Sequence, residues 1–149
     1  MIARIAVLLA LAAGLGSIAN SVSPRGLSWT HPLGKGLRAR IVEAGLQPVS
    51  ITRLPDLLPK VRLLDARPRE DYRTGRLAGA TSYPWKDVDD GTLPLPPPDG
   101  PTVIYCANEF CEDALRLGRL LIQRGDADVG VLIEGYDEWW NRKGSVEKD

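Results

Sequence analysis

The chain has 149 residues with 19 basic and 19 acidic side chains, so its formal net charge is zero. That balance gives no reason to expect a nucleic acid partner, and the length favours one domain with an appendage. Two cysteines cannot build a multi-bridge disulfide scaffold, and a single histidine leaves the usual zinc sites short of ligands. We therefore expect no metal and no organic cofactor.

The chain opens with a hydrophobic segment. Residues 5–24 carry no charge, and at 1.5 Å per residue they match the roughly 30 Å hydrocarbon core of a bilayer. Residues 1–24 are therefore interpreted as a transmembrane anchor or as a signal peptide cleaved near residues 17–19; a buried soluble helix is a third interpretation. More lysine and arginine residues follow this segment than precede it. The positive-inside rule alone would therefore keep the domain in the cytoplasm. Because a charged n-region precedes the apolar stretch, we expect a membrane-anchored or exported protein, on the periplasmic rather than the cytoplasmic side.

The rest of the chain divides into a tether, a domain and a tail. Residues 25–47 contain four glycines and are predicted to be a tether with one short helix ending at Gly45. Residues 48–143 form the predicted domain, and residues 144–149 a C-terminal tail. The predicted strands are residues 49–51, 61–66, 80–84, 102–106 and 129–133. The predicted helices are residues 52–58 with Thr52 as N-cap, 68–75, 112–124 and 136–143, and residues 93–101 form a proline-rich connector.

Strands and helices alternate in this domain, and several strands are apolar on both faces. The pattern predicts an α/β fold, a doubly wound parallel sheet with helices on both faces, preceded by the N-terminal hydrophobic helix. Reactive sites of such sheets lie at the carboxyl ends of the strands. Cys106 ends the most apolar strand, which makes it the candidate nucleophile.

The loop after Cys106 is suited to sulfur chemistry. A tight turn from strand to helix tends to point successive N–H groups inward, and the helix N-terminus adds positive potential. Such surroundings lower the pKa of a thiol and can also hold a persulfide anion. The predicted anion-binding loop consists of Ala107, Asn108, Glu109, Phe110 and Cys111.

Three stretches follow one another in order: DARPREDYRTGRLAGA (65–80), VIYCANEFC (103–111) and VLIEGYDEWW (131–140). Together they resemble the rhodanese (sulfurtransferase) family over about residues 48–143. The resemblance implies a rhodanese-like fold and places Cys106 in the persulfide-carrying position. Two departures are Arg76, where the family has histidine, and Glu134, where it has glycine.

The loop also departs from thiosulfate-using members, which often place basic residues there. It has none, and Glu109 would repel a dianionic donor. We therefore expect weak use of thiosulfate relative to a thiol-borne persulfide. Phosphatase relatives of this fold carry arginine six positions after the cysteine, where it binds phosphate. This chain has Glu112 there, so we expect neither phosphatase nor arsenate-reductase activity.

Two residues of the first stretch are expected to support the site. In the family the position of Asp65 helps to hold the loop region, and a purely structural hydrogen-bonding role is the alternative. Arg67 is expected to pair with Glu70 or Asp71, or else to face the pocket. Glu112 and Asp113 are interpreted as acidic residues of a helix first turn.

Cys111 has two interpretations, a resolving thiol that forms a disulfide with Cys106 or a small buried residue. The expected function is sulfurtransfer through a persulfide on Cys106; the alternatives are a non-catalytic rhodanese-like binding module and a thiol–disulfide redox protein using both cysteines. The expected partners are a small sulfur donor and a thiol acceptor or partner protein, no nucleic acid, and a membrane if residues 1–24 stay attached.

Overall fold

A computed structural model describes residues 36–149 of the chain. The predicted hydrophobic segment, residues 1–24, and the first part of the predicted tether, residues 25–35, lie outside the described residues. Within residues 36–149, no helix is both long and apolar enough to cross a membrane.

Short helices and strands alternate along the described part of the chain. The helices are α1 (Leu37–Glu43), α2 (Leu54–Leu57, followed by a 3₁₀ turn at Leu58–Lys60), α3 (Arg69–Thr74), α4 (Trp85–Asp89), α5 (Asp113–Arg124) and α6 (Gly135–Asn141). The strands are β1 (Gln47–Val49), β2 (Arg62–Asp65), β3 (Arg76–Leu77), β4 (Thr81–Ser82), β5 (Thr102–Tyr105), β6 (Val129–Leu132) and β7 (Val146–Glu147).

Five strands form a parallel sheet in the order β1-β6-β5-β2-β4. Strand β5 lies at its centre and all four of its residues are buried. Because side chains alternate across a sheet, Ile104 and Cys106 join a hydrophobic cluster with α1 and α5. Val103 and Tyr105 join a second cluster with residues of α2 and α6 on the other face. The predicted parallel sheet between helical layers is confirmed.

The domain begins earlier than the sequence indicated. Leu37 and Ile41 of α1, together with Leu46, are buried in the first cluster, so the second half of the predicted tether packs against the sheet. Strand β1 correspondingly lies two residues before the predicted strand at 49–51. Helix α2 starts at Leu54 rather than after Thr52, whose hydroxyl instead lies 3.2 Å from that of Ser50.

The C-terminal residues are also structured. Strand β7 pairs antiparallel with β3, with Leu77 opposite Val146. The indole Nε1 of Trp139 donates a hydrogen bond to the carbonyl of Ser145 at 3.0 Å, which ties the end of α6 to this segment. Residues 144–149, predicted to be a tail, therefore supply one strand of a two-stranded sheet.

The proline-rich connector, residues 93–101, contains neither helix nor strand. Prolines lack an N–H but keep a carbonyl acceptor, and two arginines use it: Arg62 donates to the carbonyl of Pro97 and Arg124 to that of Pro96. Helix α5 then ends at Gly125, whose φ of 106° is the left-handed conformation typical of a helix C-terminus.

Candidate active site

The two cysteines are joined. Cys106 follows β5 directly, is 3% exposed, and forms a disulfide with Cys111; their Cα atoms are 6.0 Å apart. That separation falls within the usual range for a disulfide. Of the two interpretations of Cys111, the structure therefore favours contact with Cys106 over packing alone.

Asn108 organises the loop between the cysteines. Its side-chain Oδ1 accepts a hydrogen bond from the Phe110 N–H at 3.1 Å, and its carbonyl accepts one from the Cys111 N–H at 3.1 Å. The sequence predicted that these N–H groups would form an anion cradle. In this oxidised form the N–H groups of Phe110 and Cys111 both donate to Asn108.

The start of the loop is held by the first turn of α6. The Tyr136 N–H donates to the carbonyl of Cys106 and the Asp137 N–H to that of Ala107, both at 2.9 Å, and Asn108 Nδ2 donates to Asp137 Oδ2 at 3.0 Å. Gly135 makes this approach possible, since a Cβ there would lie 2.6 Å from the Ala107 carbonyl oxygen. Its φ of 73° is also left-handed.

Below the loop lies a buried polar network around Asp65, which is fully buried. Arg67 donates to both carboxylate oxygens of Asp65, from Nε to Oδ1 at 3.0 Å and from Nη2 to Oδ2 at 2.6 Å. The Tyr105 hydroxyl donates to Oδ2 at 2.6 Å and accepts from the Leu77 N–H at 3.2 Å. The Arg67 guanidinium also donates to the carbonyl of Gly75 at 2.7 Å.

This network corrects the prediction for Arg67, which pairs with Asp65 and not with Glu70 or Asp71. Arg67 leaves the strand in a turn, so its side chain folds back onto the residue two positions earlier. Burial alone would lower the pKa of Arg67, but hydrogen bonding and Coulombic attraction from Asp65 raise it. Burial, followed by the charge of Asp65, raises the pKa of the Tyr105 phenol, which therefore stays protonated.

The network reaches the cysteine loop indirectly. The Arg67 guanidinium lies over the Tyr136 ring, 3.9 Å from its centroid, and the Tyr136 N–H holds the Cys106 carbonyl. Asp65 and Arg67 are only 0% and 4% exposed. They are therefore placed to position the loop rather than to contact a ligand from solvent.

The outer surface of the loop is acidic and carries an exposed aromatic side chain. Phe110 is 84% exposed. Beside it lies an open cleft of about 290 Å³ that no lysine or arginine lines; its lining residues are Asn108, Glu109, Phe110, Glu134, Asp137, Glu138 and Asn141. The acidic environment expected from Glu109 thus extends to the start of α6.

Glu134, a departure from the family pattern, has a structural role. Its carboxylate accepts hydrogen bonds from the Ser50 hydroxyl and the Ile51 N–H, both at 3.0 Å. These bonds tie the end of β1 to the start of α6, the helix that holds the loop.

Asp113 is the site residue that sequence reasoning missed. Its carboxylate oxygen and the two cysteine Sγ atoms all lie within 4.8 Å of one another. Burial raises the pKa of this carboxyl, against the attraction of Arg116. The available signal is its position two residues after Cys111, which is also typical of a helix first turn. Three such groups could bind a metal ion when reduced, but here the two sulfurs are bonded to each other.

Residues 50–142 match the family model of the rhodanese-like domain, and the chain therefore belongs to that family. The HTH-type transcriptional regulator Rv0324 of Mycobacterium tuberculosis is 32% identical over 83 residues. The match covers 54% of this chain but only 34% of the regulator, so the chain spans about a third of the length of the curated relative it matches.

Solved structures show the same fold. The BH2092 protein of Bacillus halodurans superposes with a TM-score of 0.60 at 22% identity, covering 74% of this chain and 82% of that one. The human single-domain sulfurtransferase TSTD1 superposes with a TM-score of 0.56 at 22% identity, covering 66% of this chain and 98% of that one. Thiosulfate sulfurtransferase of Pseudomonas aeruginosa superposes with a TM-score of 0.55 at 18% identity, covering 75% of this chain and 22% of that one.

Replacing Asp65 with asparagine should strongly destabilise the domain. The change leaves the buried Arg67 guanidinium without its counter-charge, which costs about 3–5 kcal/mol. Urea unfolding of Asp65→Asn beside Asp71→Asn, the same change at an exposed site, measures the difference. Equal midpoints for the two variants would contradict the role assigned to Asp65.

A methyl group at Gly135 should detach the loop from α6. Gly91 is the matched control, since its φ of 77° is similar but nothing lies within 4 Å of an added Cβ. Gly91→Ala should lose about 1–2 kcal/mol from backbone strain, whereas Gly135→Ala should lose more because of the backbone collision. Hydrogen exchange should also accelerate at the Tyr136 and Asp137 amides in Gly135→Ala only. Unchanged protection of both amides would argue against the docking contact.

Proposed function

We propose that this rhodanese-like domain is a sulfurtransferase that carries sulfane sulfur as a persulfide on Cys106. The observation that carries the proposal is the position of Cys106 at the carboxyl end of the central strand, at the start of the loop leading into α5. The family and the likeness to solved sulfurtransferases support the same chemistry.

The reaction consists of two exchanges at sulfur. The Cys106 thiolate attacks the outer sulfur of the donor, and the bond between that sulfur and the rest of the donor breaks. The donor leaves with the electron pair, as sulfite from thiosulfate or as a thiolate from a persulfide. An acceptor thiolate then attacks the outer sulfur on Cys106 and regenerates the cysteine thiolate.

This chemistry requires the reduced loop, because the disulfide occupies the Cys106 sulfur. We propose that in the reduced loop the N–H groups of Phe110 and Cys111 turn from Asn108 toward the Cys106 sulfur. These groups could then donate to the persulfide anion, as an oxyanion-hole type of cradle does.

The surface around the loop favours some donors over others. Glu109 and the carboxylates of the adjoining cleft disfavour a dianion such as thiosulfate. The exposed Phe110 ring at the loop tip offers an apolar contact. We propose that the donor is a thiol-borne persulfide, on a small molecule or on a partner protein.

A second candidate function is thiol–disulfide redox chemistry using the same two cysteines. The bond between Cys106 and Cys111 is the observation that favours it. Disulfides persist mainly in oxidising compartments, which supports the export expected from residues 1–24.

Sulfur loading tests the carrier role. The Cys111→Ser chain, which cannot form the disulfide, should gain one sulfur atom on exposure to glutathione persulfide; intact-protein mass spectrometry detects it. The double variant Cys106→Ser, Cys111→Ser should gain none. If the folded Cys111→Ser chain gains no sulfur from glutathione persulfide or thiosulfate, the domain is not a sulfurtransferase, and redox chemistry or a binding module remains.

Neutralising Glu109 should improve thiosulfate use. An exposed unit charge facing a dianion is worth on the order of 1 kcal/mol, which corresponds to about a fivefold change in rate. In the Cys111→Ser background, Glu109→Gln should therefore load sulfur from thiosulfate about fivefold faster. Loading from glutathione persulfide should change less. Glu70→Gln, an exposed acid outside the cleft, controls for net charge, and equal effects of the two variants would contradict a local role of Glu109.

A further inference from the structure

We propose that Cys111 is the internal acceptor for the sulfur carried by Cys106, so that the domain releases sulfide and closes as a disulfide. The inference rests on the proposed function, since it needs a persulfide on Cys106. It assigns the domain a further activity, reduction of sulfane sulfur to sulfide, beside sulfur transfer to an external thiol.

The first support is reach. The two Sγ atoms are bonded within the folded domain, so Cys111 can approach the Cys106 sulfur without unfolding it. Cys106 is nearly inaccessible, whereas Cys111 is half-buried. An acceptor thiol held five positions away acts at a high effective concentration, which gives it an advantage over thiols in solution.

The step balances without an added oxidant. The Cys111 thiolate attacks Sγ of the Cys106 persulfide and forms the Cys106–Cys111 bond. The bond from Cys106 Sγ to the outer sulfur breaks, and that sulfur leaves with the electron pair as hydrosulfide. The two cysteine sulfurs are oxidised by two electrons in total and the sulfane sulfur is reduced by two. A further turnover needs an external thiol or dithiol to reduce the disulfide.

The second support is Asp113, whose carboxylate lies within 4.8 Å of both sulfurs. It is placed to accept the proton of the Cys111 thiol as that sulfur becomes the nucleophile. The raised pKa of the Asp113 carboxyl lies closer to the pKa of a thiol, which makes the carboxylate a better base for the thiol proton.

Other charged groups surround Asp113. Glu112, the adjacent acid, is engaged by Arg40 of α1 at 2.8 Å and by Arg116 at 3.5 Å. Across from α5, a cleft of about 190 Å³ that Asp113 lines also contains Arg69, Lys86 and Asp87. Arg69 and Asp87 pair with each other at 2.5 Å. Among the carboxylates named here, Asp113 is the one that lies within 4.8 Å of both sulfurs.

The experiment follows one turnover of the full chain. The reduced protein receives one equivalent of glutathione persulfide without oxygen, and released sulfide and intact mass are measured together. The wild-type chain should release one sulfide per chain and end two hydrogens lighter than its reduced form. Cys111→Ser and Cys111→Ala should keep the extra sulfur on Cys106. They should release no sulfide in the time that the wild-type chain needs to release one equivalent.

The failures are distinguishable. Stable sulfur on the wild-type chain with no more sulfide than from Cys111→Ser would overturn the internal acceptor and leave the proposed sulfurtransferase intact. Absence of both sulfur gain and sulfide in the folded wild-type and Cys111 variants would overturn the proposed function itself. Two replacements of Cys111 ensure that a folding defect in one does not decide the result.

Asp113 is tested by the pH profile of sulfide release. Asp113→Asn should slow release about 100-fold, in line with loss of a general base, and should slow release far more than it changes loading of Cys106 in the Cys111→Ser background. The wild-type rate should rise as Asp113 loses its proton, whereas the rate of Asp113→Asn should follow the Cys111 thiol near pH ~8.5. Glu112→Gln is the matched control. Identical rates and pH profiles for wild type and Asp113→Asn would overturn the role of this carboxylate.

Discussion

The candidate site depends on the hydrogen bonds that the buried Asp65 carboxylate accepts from Arg67 and Tyr105. This carboxylate joins β2 to β5 through the Tyr105 hydroxyl, and it holds the Arg67 guanidinium against the Tyr136 ring. Tyr136 in turn fixes the carbonyl of Cys106. A buried ion pair gives little net stability compared with apolar packing, but removing one partner is severe. Here the pair links the strand that precedes Cys106 to the helix that holds the cysteine loop.

The cysteine loop lies between a hydrophobic cluster and an acidic cleft. The hydrophobic cluster on the α5 side penalises charge through desolvation, and the cleft outside carries carboxylates such as Glu109. In the oxidised form, Asn108 accepts hydrogen bonds from two backbone N–H groups of the loop. Under the proposed function, reactivity therefore depends on redox state, because the Cys106 sulfur is available only when the disulfide is open.

The sequence was sufficient for the central elements and insufficient where long-range contacts decide. Strand β5 and helix α5 follow from apolar periodicity, and the position of Cys106 follows from parallel-sheet geometry. Strands β3 and β7 have two residues each, too few for a periodic signal, and pair across about 70 positions of the chain. Arg67 was paired by helical spacing, yet it lies in a turn where the residue two positions earlier is closer. Asp113 stands two positions after Cys111, a spacing equally typical of a helix first turn, and its distance from the Cys106 sulfur follows from the fold of the loop.

The exposure of Phe110 has a practical consequence. It is the chain's one phenylalanine and stands at the tip of the loop, 84% exposed. Fluorinated phenylalanine supplied during expression would thus label this loop alone, without substituting any residue. A single fluorine resonance could then report whether the ring between the cysteines is open or closed, in the intact chain and during turnover.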